Sequence, residues 1–352
     1  MYLQAPQYLV LENLRCSSEH LIYKAENILD SDKCAIKIEK TAGLGQIRNE
    51  IEMLRKLKGI IGIPALKQFG VTSDNKSFLI IPLYHSSLRD LIAQQQPQLS
   101  LSQILRIGLR ITEILEKVHL RNILHLDIKP ENIMISKPLD GQKILQDDII
   151  QIIDFGLSQE YSVNSNSLKN MFIGSLNFAS RQSHKGEQLG YKDDLESLIY
   201  VLIYLRTLKL PWSFKPSWGC KKIDIKVIGK IKSSRFNNLA QTSNFPPQFQ
   251  EIMSSINSLK HNIMPDYQYI KNLFIILIKQ SEISVYQMTL RFKSLNYFDT
   301  SIQVNNSKEN FQEESEENSD EMVNFETNHC LISKEIAKYK TNQIKSISDL
   351  QF

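Results

Sequence analysis

The chain has 352 residues, a formal net charge of +4 and an ordinary hydrophobic content of 42%, which together exclude a disordered or fibrous protein. No apolar run reaches the roughly 20 residues that a membrane-spanning helix needs, and the first residues lack the apolar core of a signal peptide. The four cysteines are scattered without any Cys-x-x-Cys pair, which argues against structural zinc and favours a reducing compartment.

Residues 8–84 are predicted to form a small lobe that is rich in strands. Alternating apolar and polar residues predict the strands, and the Asp-Ser-Asp turn at residues 30–32 separates two of them. A helix is predicted where apolar residues recur every three or four positions. In chain order we expect strands over residues 8–11, 20–25 and 33–39, the helix over 47–58, and strands over 67–71 and 78–83.

Residues 85–297 are predicted to form a larger lobe that is mainly helical. Long apolar patterns with helical spacing run over residues 101–118 and 195–205. A strand-rich lobe that precedes a helical one indicates an α+β fold with two lobes, a small β-rich N-lobe and a larger α-helical C-lobe.

Residues 298–352 are predicted to be a disordered, acidic C-terminal tail. From Ser301 onward the chain has 5 lysines and 10 acidic residues, which leaves 37 basic and 28 acidic residues in the first 300. The basic body suits anionic ligands such as nucleotides or acidic peptides, although an ordinary solvated surface explains the same charge. Apolar residues among the lysines of 331–350 indicate a short docking helix, with a broken periodicity.

The strongest chemical signal is residues 125–132, which read His-Leu-Asp-Ile-Lys-Pro-Glu-Asn. On one tight loop, Asp127, Lys129 and Asn132 supply what phosphoryl transfer needs. A carboxylate meets the incoming hydroxyl group, a cation meets the migrating phosphate, and an amide oxygen binds a metal ion. His125 is interpreted as a packed histidine that braces the loop.

A second acidic motif, Asp-Phe-Gly, follows that loop by 22 residues. Asp154 is a hard oxygen ligand at the end of a predicted strand, and the glycine after it lets the chain turn. Upstream, Lys37 lies on the third predicted strand, where a lysine can reach the α and β phosphates of a nucleotide. A helix carboxylate should pair with it; Glu50 and Glu52 are the candidates, and the distance to the Gly-Ile-Pro at 62–64 favours Glu50.

Further motifs narrow the family to which these signals belong. Residues 174–180 read Gly-Ser-Leu-Asn-Phe-Ala-Ser, whose Ala-Ser replaces the Ala-Pro-Glu of most kinases. Residues 59–64 read Gly-Ile-Ile-Gly-Ile-Pro, and residues 193–198 read Asp-Asp-Leu-Glu-Ser-Leu. With these motifs the chain resembles the casein kinase I family of eukaryotic protein kinases, as a divergent member, over roughly residues 8–295. The resemblance implies a serine/threonine kinase that uses ATP and Mg²⁺.

The resemblance also implies a role for each residue of the motifs. Asp127 would orient and deprotonate the substrate hydroxyl group, and Lys129 would stabilise the transferring phosphate. Lys37, positioned by Glu50, would bind the ATP phosphates. The Mg²⁺ would be held by the two other polar residues of these motifs, Asn132 and Asp154.

Adenine would be enclosed by apolar side chains and would meet the backbone that joins the lobes. The side chains are those of Leu14, Ile22, Ala35 and Met134, and the backbone groups are those of Pro82 and Tyr84. Proline loses only an N–H group, and the resemblance implies a carbonyl contact at that position. Asp194 would brace the catalytic loop, and Ser175 beside Lys129 would favour Ser/Thr over Tyr acceptors.

The glycine-rich phosphate loop of the family is absent. Residues 15–20 read Arg-Cys-Ser-Ser-Glu-His and contain no glycine. Glycines let backbone N–H groups approach the phosphates closely, so the side chains here, including acidic Glu19, are expected to weaken nucleotide binding. Arg15 or His20 could compensate in part.

Two other departures bear on regulation and specificity. Leu126 replaces the arginine that usually precedes the catalytic Asp and pairs with a phosphate, so activity is expected not to depend on phosphorylation at Ser162, Ser165 or Ser167. Asn177 and Asp224 replace basic residues that read acidic or prephosphorylated substrates, while Lys221 and Lys222 remain. Preference for such primed substrates is expected to be weak.

Three interpretations of function stay open. An active Ser/Thr protein kinase is favoured because all six catalytic positions are intact, namely Lys37, Glu50, Asp127, Lys129, Asn132 and Asp154. A pseudokinase that acts as a binding or scaffolding module is the alternative. A small-molecule kinase of the aminoglycoside or choline type is the third.

We expect a monomer in the cytoplasm or also in the nucleus, with protein substrates and without nucleic-acid or membrane partners. Ser315 and Ser319 lie among carboxylates and suggest that the tail is a pseudosubstrate. An inert, solvated tail is the alternative.

Overall fold

The computed structural model describes residues 7–94, 99–138, 149–162, 170–213 and 224–306, and the chain divides after Tyr286 into two units. The small lobe is an antiparallel sheet of five strands in the spatial order β1-β2-β3-β5-β4. These strands are β1 (Tyr8–Cys16), β2 (His20–Asn27), β3 (Lys33–Glu39), β4 (Gln68–Val71) and β5 (Ser77–Pro82).

Strand β3 lies in the middle of this sheet, and its alternation separates the two faces. Cys34, Ile36 and Ile38 are buried in a small apolar cluster with residues of β2 and β5. Because successive side chains of a strand point to opposite faces, Ala35 and Lys37 point to the other side of the sheet.

Helix α1 (Gln46–Lys56) packs against strands β3 and β5 of this sheet. Ile47, Ile51 and Leu54 are buried at helical spacing and join the main apolar core. Glu50 follows Ile47 by three positions, so it lies on the same buried face and is only 2% exposed.

The large lobe is helical, and its core forms around two central helices. Its helices are α2 (Leu88–Ala93), α3 (Leu101–His119), α4 (Arg181–Lys185), α5 (Tyr191–Thr207), α6 (Ile225–Arg235), α7 (Leu239–Thr242), α8 (Phe249–Ser258) and α9 (Tyr267–Asn306). Helix α3 begins with a capping box between Ser100 and Gln103. Helix α5 packs on α3 and α8 and is buried along most of its length, which makes it the rigid support of the lobe.

Short strands of the large lobe, most of whose residues are buried, position the two acidic motifs. They are β6 (Ser86–Ser87), β7 (Ile123–Leu124), β8 (Ile133–Ile135), β9 (Ile150–Ile152) and β10 (Gln159–Glu160). Strands β6, β8 and β9 form one sheet, and β7 pairs with β10. Residues 125–132 therefore connect β7 to β8, and Asp154 follows directly after β9.

The predicted α+β fold, with a β-rich N-lobe and a helical C-lobe, is confirmed. Several elements run further than the sequence predicts, strand β1 and helix α9 among them. Strand β1 continues to Cys16, whereas the prediction ends it at residue 11. Its pairing with β2 is irregular between Val10 and Glu12 and between Asn13 and Arg15, and these irregularities interrupt the alternation on which the prediction is based.

Helix α9 reaches Asn306, past the predicted start of the tail at residue 298. No glycine or proline interrupts residues 267–306, so nothing in the sequence ends the helix at the predicted boundary. Of the second unit, the structure describes residues 287–306, and all of them are helical.

The docking helix predicted at 331–350 lies outside the described residues. Within the described part, no helix has the length and apolarity needed to cross a membrane.

Candidate active site

A cavity of about 700 Å³ lies between the sheet and the helical lobe. It is lined by every residue that the sequence predicts to bind the nucleotide, namely Lys37, Glu50, Leu14, Ile22, Ala35, Tyr84 and Met134. Pro82 and both predicted metal ligands, Asn132 and Asp154, line the same cavity. Its walls are apolar near Ala35 and charged near Lys37, which matches a ligand with a flat apolar end and an anionic end.

Lys37 stands at the centre of an ion-pair cluster that joins three parts of the chain. Its Nζ lies 2.7 Å from Oε2 of Glu50 on α1 and 2.7 Å from Oδ1 of Asp154 after β9. The second oxygen of Glu50 accepts a hydrogen bond of 3.3 Å from the backbone N–H group of Phe155. The small lobe, helix α1 and the Asp-Phe-Gly segment are thus fixed to one another.

The cluster sets the charges of its members. Burial opposes the charge on Lys37, but Glu50 and Asp154 outweigh it and raise the pKa of the ammonium group. Burial also acts to raise the pKa of Asp154, yet Lys37 holds that pKa well below its usual range. The side chain of Asp154 is 35% exposed, so its carboxylate is both charged and open to the cavity.

The catalytic-loop residues converge on the carboxylate of Asp127. Lys129 and Ser175 bind its two oxygens, with 2.7 Å between Oγ of Ser175 and Oδ1. Asn132 donates from Nδ2 to the carbonyl oxygen of Asp127 at 3.0 Å and to its Oδ2 at 3.1 Å. These bonds occupy the amide nitrogen of Asn132 and leave Oδ1 for a cation. Asn132 therefore lines the cavity with its side chain and also holds Asp127, the residue that Lys129 contacts, beside it.

Asp194 on α5 holds the backbone of the catalytic loop, as predicted. Its Oδ2 accepts from the N–H group of His125 and its Oδ1 from that of Leu126, both at 2.7 Å. Leu126 has a positive φ of 66°, a strained conformation for a leucine. His125 is fully buried and packs its ring on Phe155, with ring centroids 4.7 Å apart. The buried helix α5 thus fixes the strained loop that carries Asp127.

The turn between β1 and β2 uses a serine hydroxyl where glycines are expected. Oγ of Ser17 accepts from the backbone N–H groups of Glu19, at 3.3 Å, and His20, at 3.0 Å. The ring of His20 is buried, and its Nε2 has no hydrogen-bond partner among the described residues. Burial and the charge of Lys37 lower the pKa of His20. Two N–H groups of the turn are therefore already used by the chain itself.

Apolar contacts fasten the segment that follows Asp-Phe-Gly. The side chain of Leu126 is buried in a cluster that includes Ile173 and Tyr191. Gly174 has a φ of 98°, and a Cβ atom there would lie 2.6 Å from the carbonyl oxygen of Leu126. Glycine is therefore needed where the segment crosses the catalytic loop.

Lys232 is a second anchor of this segment, and the sequence prediction missed it. It is fully buried on α6, and its Nζ donates to the carbonyl oxygens of Leu176, at 3.1 Å, and Ala179. Nζ also lies over the rings of Tyr200 and Trp212, 4.9 and 5.3 Å from their centroids. Burial lowers its pKa to about 7, but the carbonyl oxygens and ring faces favour the ammonium form, which we take as the state present. The available signal was the spacing of Lys232 from Ile228, four residues earlier on the buried face of the helix.

Asn49 is another functional residue that the sequence prediction missed. Its Nδ2 donates to the carbonyl oxygens of Gly156, at 3.0 Å, and Ser158, at 2.8 Å. An asparagine in a helix gives no signal of such contacts, since it is as common on a solvated face.

The donor set fits Mg²⁺ with a bound nucleotide. The described residues contain no group of three or more His, Cys, Asp or Glu side chains that could hold a metal ion by itself. A charged carboxylate at Asp154 and an amide oxygen at Asn132 instead form the half-site that Mg²⁺ uses when phosphate oxygens and water complete its shell.

Comparison with known families agrees with this geometry. The family model described as the protein kinase domain matches residues 19–266, which is 248 of the 352 residues. The match contains the ion-pair cluster, the catalytic loop and helix α5. The chain belongs to the protein kinase domain family.

Proposed function

We propose that the chain is an active serine/threonine protein kinase of the casein kinase I type, which transfers the γ-phosphoryl group of ATP to protein Ser or Thr. The observation that carries the proposal is the assembled ion-pair cluster, in which Lys37 contacts both Glu50 and Asp154 at 2.7 Å. In protein kinases the Lys–Glu pair must be formed and the Asp of Asp-Phe-Gly must hold Mg²⁺ for phosphoryl transfer. Here the Lys37–Glu50 pair is formed, and the carboxylate of Asp154 lies beside it in the cavity.

Each residue has a defined task in the proposed reaction. Asp127 accepts the proton of the substrate hydroxyl group, whose oxygen bonds to the γ-phosphorus while the bond between that phosphorus and the β–γ bridging oxygen breaks. Lys129 neutralises charge on the moving phosphoryl group, and Lys37 binds the remaining phosphates. Asn132 and Asp154 would hold Mg²⁺, which neutralises the phosphate oxygens.

The surroundings of Asp127 support aliphatic hydroxyl acceptors. Ser175 and Lys129 bind opposite oxygens of its carboxylate, so a short side chain such as Ser or Thr suits the remaining space better than a tyrosine ring.

Weak preference for primed substrates is also proposed. Asp224, at a position that is basic in the family, caps α6 through a bond of 2.8 Å from its Oδ1 to the N–H group of Lys226. Lys221 and Lys222 lie outside the described residues.

A pseudokinase that acts as a binding or scaffolding module remains the second candidate. The bonds of the Ser17 hydroxyl to Glu19 and His20 favour it, because they occupy N–H groups that would otherwise face phosphates. The intact ion-pair cluster weighs against it, since a non-catalytic protein does not need Lys37, Glu50 and Asp154 together. The proposed pseudosubstrate serines, Ser315 and Ser319, lie outside the described residues.

Transfer of labelled phosphate from Mg-ATP to casein tests the proposed function. Wild type is expected to label casein on Ser and Thr, and Asp127→Asn to lose the transfer while it still binds Mg-ATP. No transfer by either protein, together with no thermal shift on addition of Mg-ATP, contradicts the kinase and supports the scaffolding module. Small aminoalcohol acceptors in the same assay separate the small-molecule kinase.

Ser17→Gly is expected to tighten Mg-ATP binding. The substitution releases two backbone N–H groups, each worth about 1 kcal/mol when bonded, so an increase in affinity of up to about thirtyfold is expected. Titration calorimetry measures it, with adenosine, which lacks phosphates, expected to bind both proteins equally.

Ser18→Gly is the matched control, because it adds the same flexibility one residue later without releasing those N–H groups. Equal tightening by Ser18→Gly would show that flexibility, not the released donors, is responsible. Unchanged binding by Ser17→Gly would contradict the account of the turn.

Activity is expected to be independent of phosphate on the segment after Asp-Phe-Gly. Leu126 holds that segment through apolar contacts with Ile173, so no phosphate is needed to pair with a charge there. Phosphatase treatment should change the rate of casein labelling by less than about twofold, because no phosphate–arginine bond is lost. A rate that rises more than about tenfold with phosphate on Ser162, Ser165 or Ser167 would contradict this.

A further inference from the structure

Helix α1 contacts the Asp-Phe-Gly segment with two consecutive side chains. Glu50 accepts a hydrogen bond from the N–H group of Phe155, at 3.3 Å. Asn49, the residue before it, donates to the carbonyl oxygens of Gly156, at 3.0 Å, and Ser158, at 2.8 Å, and lies 3.4 Å from that of Phe155. One side chain therefore satisfies a donor of the segment and its neighbour satisfies the acceptors.

These contacts use the full donor capacity of the amide. The Asn49 amide has two N–H bonds, and its two closest contacts are the carbonyl oxygens of Gly156 and Ser158. Only a side chain with donors suits this place, because three carbonyl oxygens face it. A carboxylate of the same size would be repelled.

The turn that Asn49 contacts is also tied to the catalytic loop. Ser158 is fully buried, donates from its N–H group to the carbonyl oxygen of Phe155 at 3.1 Å, and donates from Oγ to that of His125 at 3.1 Å. Phe155 packs on the ring of His125. The turn begins at Phe155, directly after Asp154, so the contacts that hold it also bear on the position of Asp154.

We propose that Asn49 is a positioning residue that holds the turn at residues 155–158 on helix α1, and so keeps Asp154 in the arrangement for catalysis without a phosphate group. Glu50 alone fixes only the N–H side of the segment. With Asn49 the segment is held on its carbonyl side as well, from the same turn of helix. The kinetic part of the test rests on the proposed kinase activity; the hydrogen-exchange part does not.

The test compares Asn49→Leu, which removes the donors at nearly constant size, with Asn49→Asp, which replaces them by acceptors. Amide hydrogen exchange of the full chain without ligand is expected to accelerate at residues 155–158, by about tenfold in Asn49→Asp and less in Asn49→Leu. Casein labelling should slow in the same order, with little change in the KM for casein, because the acceptor site is not touched.

Arg48→Leu is the matched control, since it places leucine on the same helix and removes only a bond of 3.3 Å to Ser77. Its exchange at residues 155–158 should equal that of wild type. The proposal is overturned if both Asn49 variants exchange like wild type there. It is also overturned if exchange rises equally throughout the small lobe, since Asn49 would then only stabilise the lobe. Local acceleration without casein labelling by wild type would support the positioning role and contradict the kinase activity.

Discussion

The structure depends on one buried positive charge. Lys37 is placed by the middle strand of the sheet on the face opposite the small apolar core, where it would be costly without partners. Glu50 from α1 and Asp154 from the large lobe supply them. Because each partner belongs to a different element, the requirement to neutralise one ammonium group fixes the small lobe, the helix and the Asp-Phe-Gly segment together.

The segment after Asp154 is held by hydrogen bonds to its backbone and by apolar contacts. At its start, Asn49 and Glu50 bind opposite sides of the peptide backbone. Further along, Leu126 and Ile173 belong to one apolar cluster, and Lys232 donates hydrogen bonds to two carbonyl oxygens of the segment. An arginine at the position of Leu126 would be expected to pair with a phosphate or an acidic group on this segment. Leucine instead joins an apolar cluster with residues of the segment.

Much of this organisation was predictable because the chemistry is concentrated in short motifs. The spacing of Asp127, Lys129 and Asn132 on one loop, and of Asp154 after a strand, specifies phosphoryl transfer. The distance to the Gly-Ile-Pro at 62–64 favoured Glu50 over Glu52. The structure agrees, because Glu50 lies on the buried face of the helix with Ile47, whereas Glu52 is exposed. Such predictions succeed because local pattern alone decides which face a residue occupies.

The contacts that were not predictable join residues far apart in sequence through backbone atoms. Asn49 reaches a turn more than a hundred residues away, and Lys232 reaches Leu176 and Ala179. Carbonyl oxygens carry no sequence signature, so no motif reveals them as partners. The role of the Ser17 hydroxyl was missed for another reason. Its partners lie only two and three residues away, but the sequence shows the absence of glycine and not which group accepts from the N–H donors.

We propose that the cluster around Lys37 binds the phosphates of a nucleotide despite the turn without glycines. Calorimetric titration of Mg-ATP into wild type and Lys37→Met tests it most directly, with adenosine as the control for an intact cavity. We predict measurable Mg-ATP binding by wild type, a loss of about tenfold or more in Lys37→Met, and equal adenosine binding by both. Equal Mg-ATP affinity in the two proteins, or adenosine binding without any Mg-ATP binding by wild type, would contradict the account.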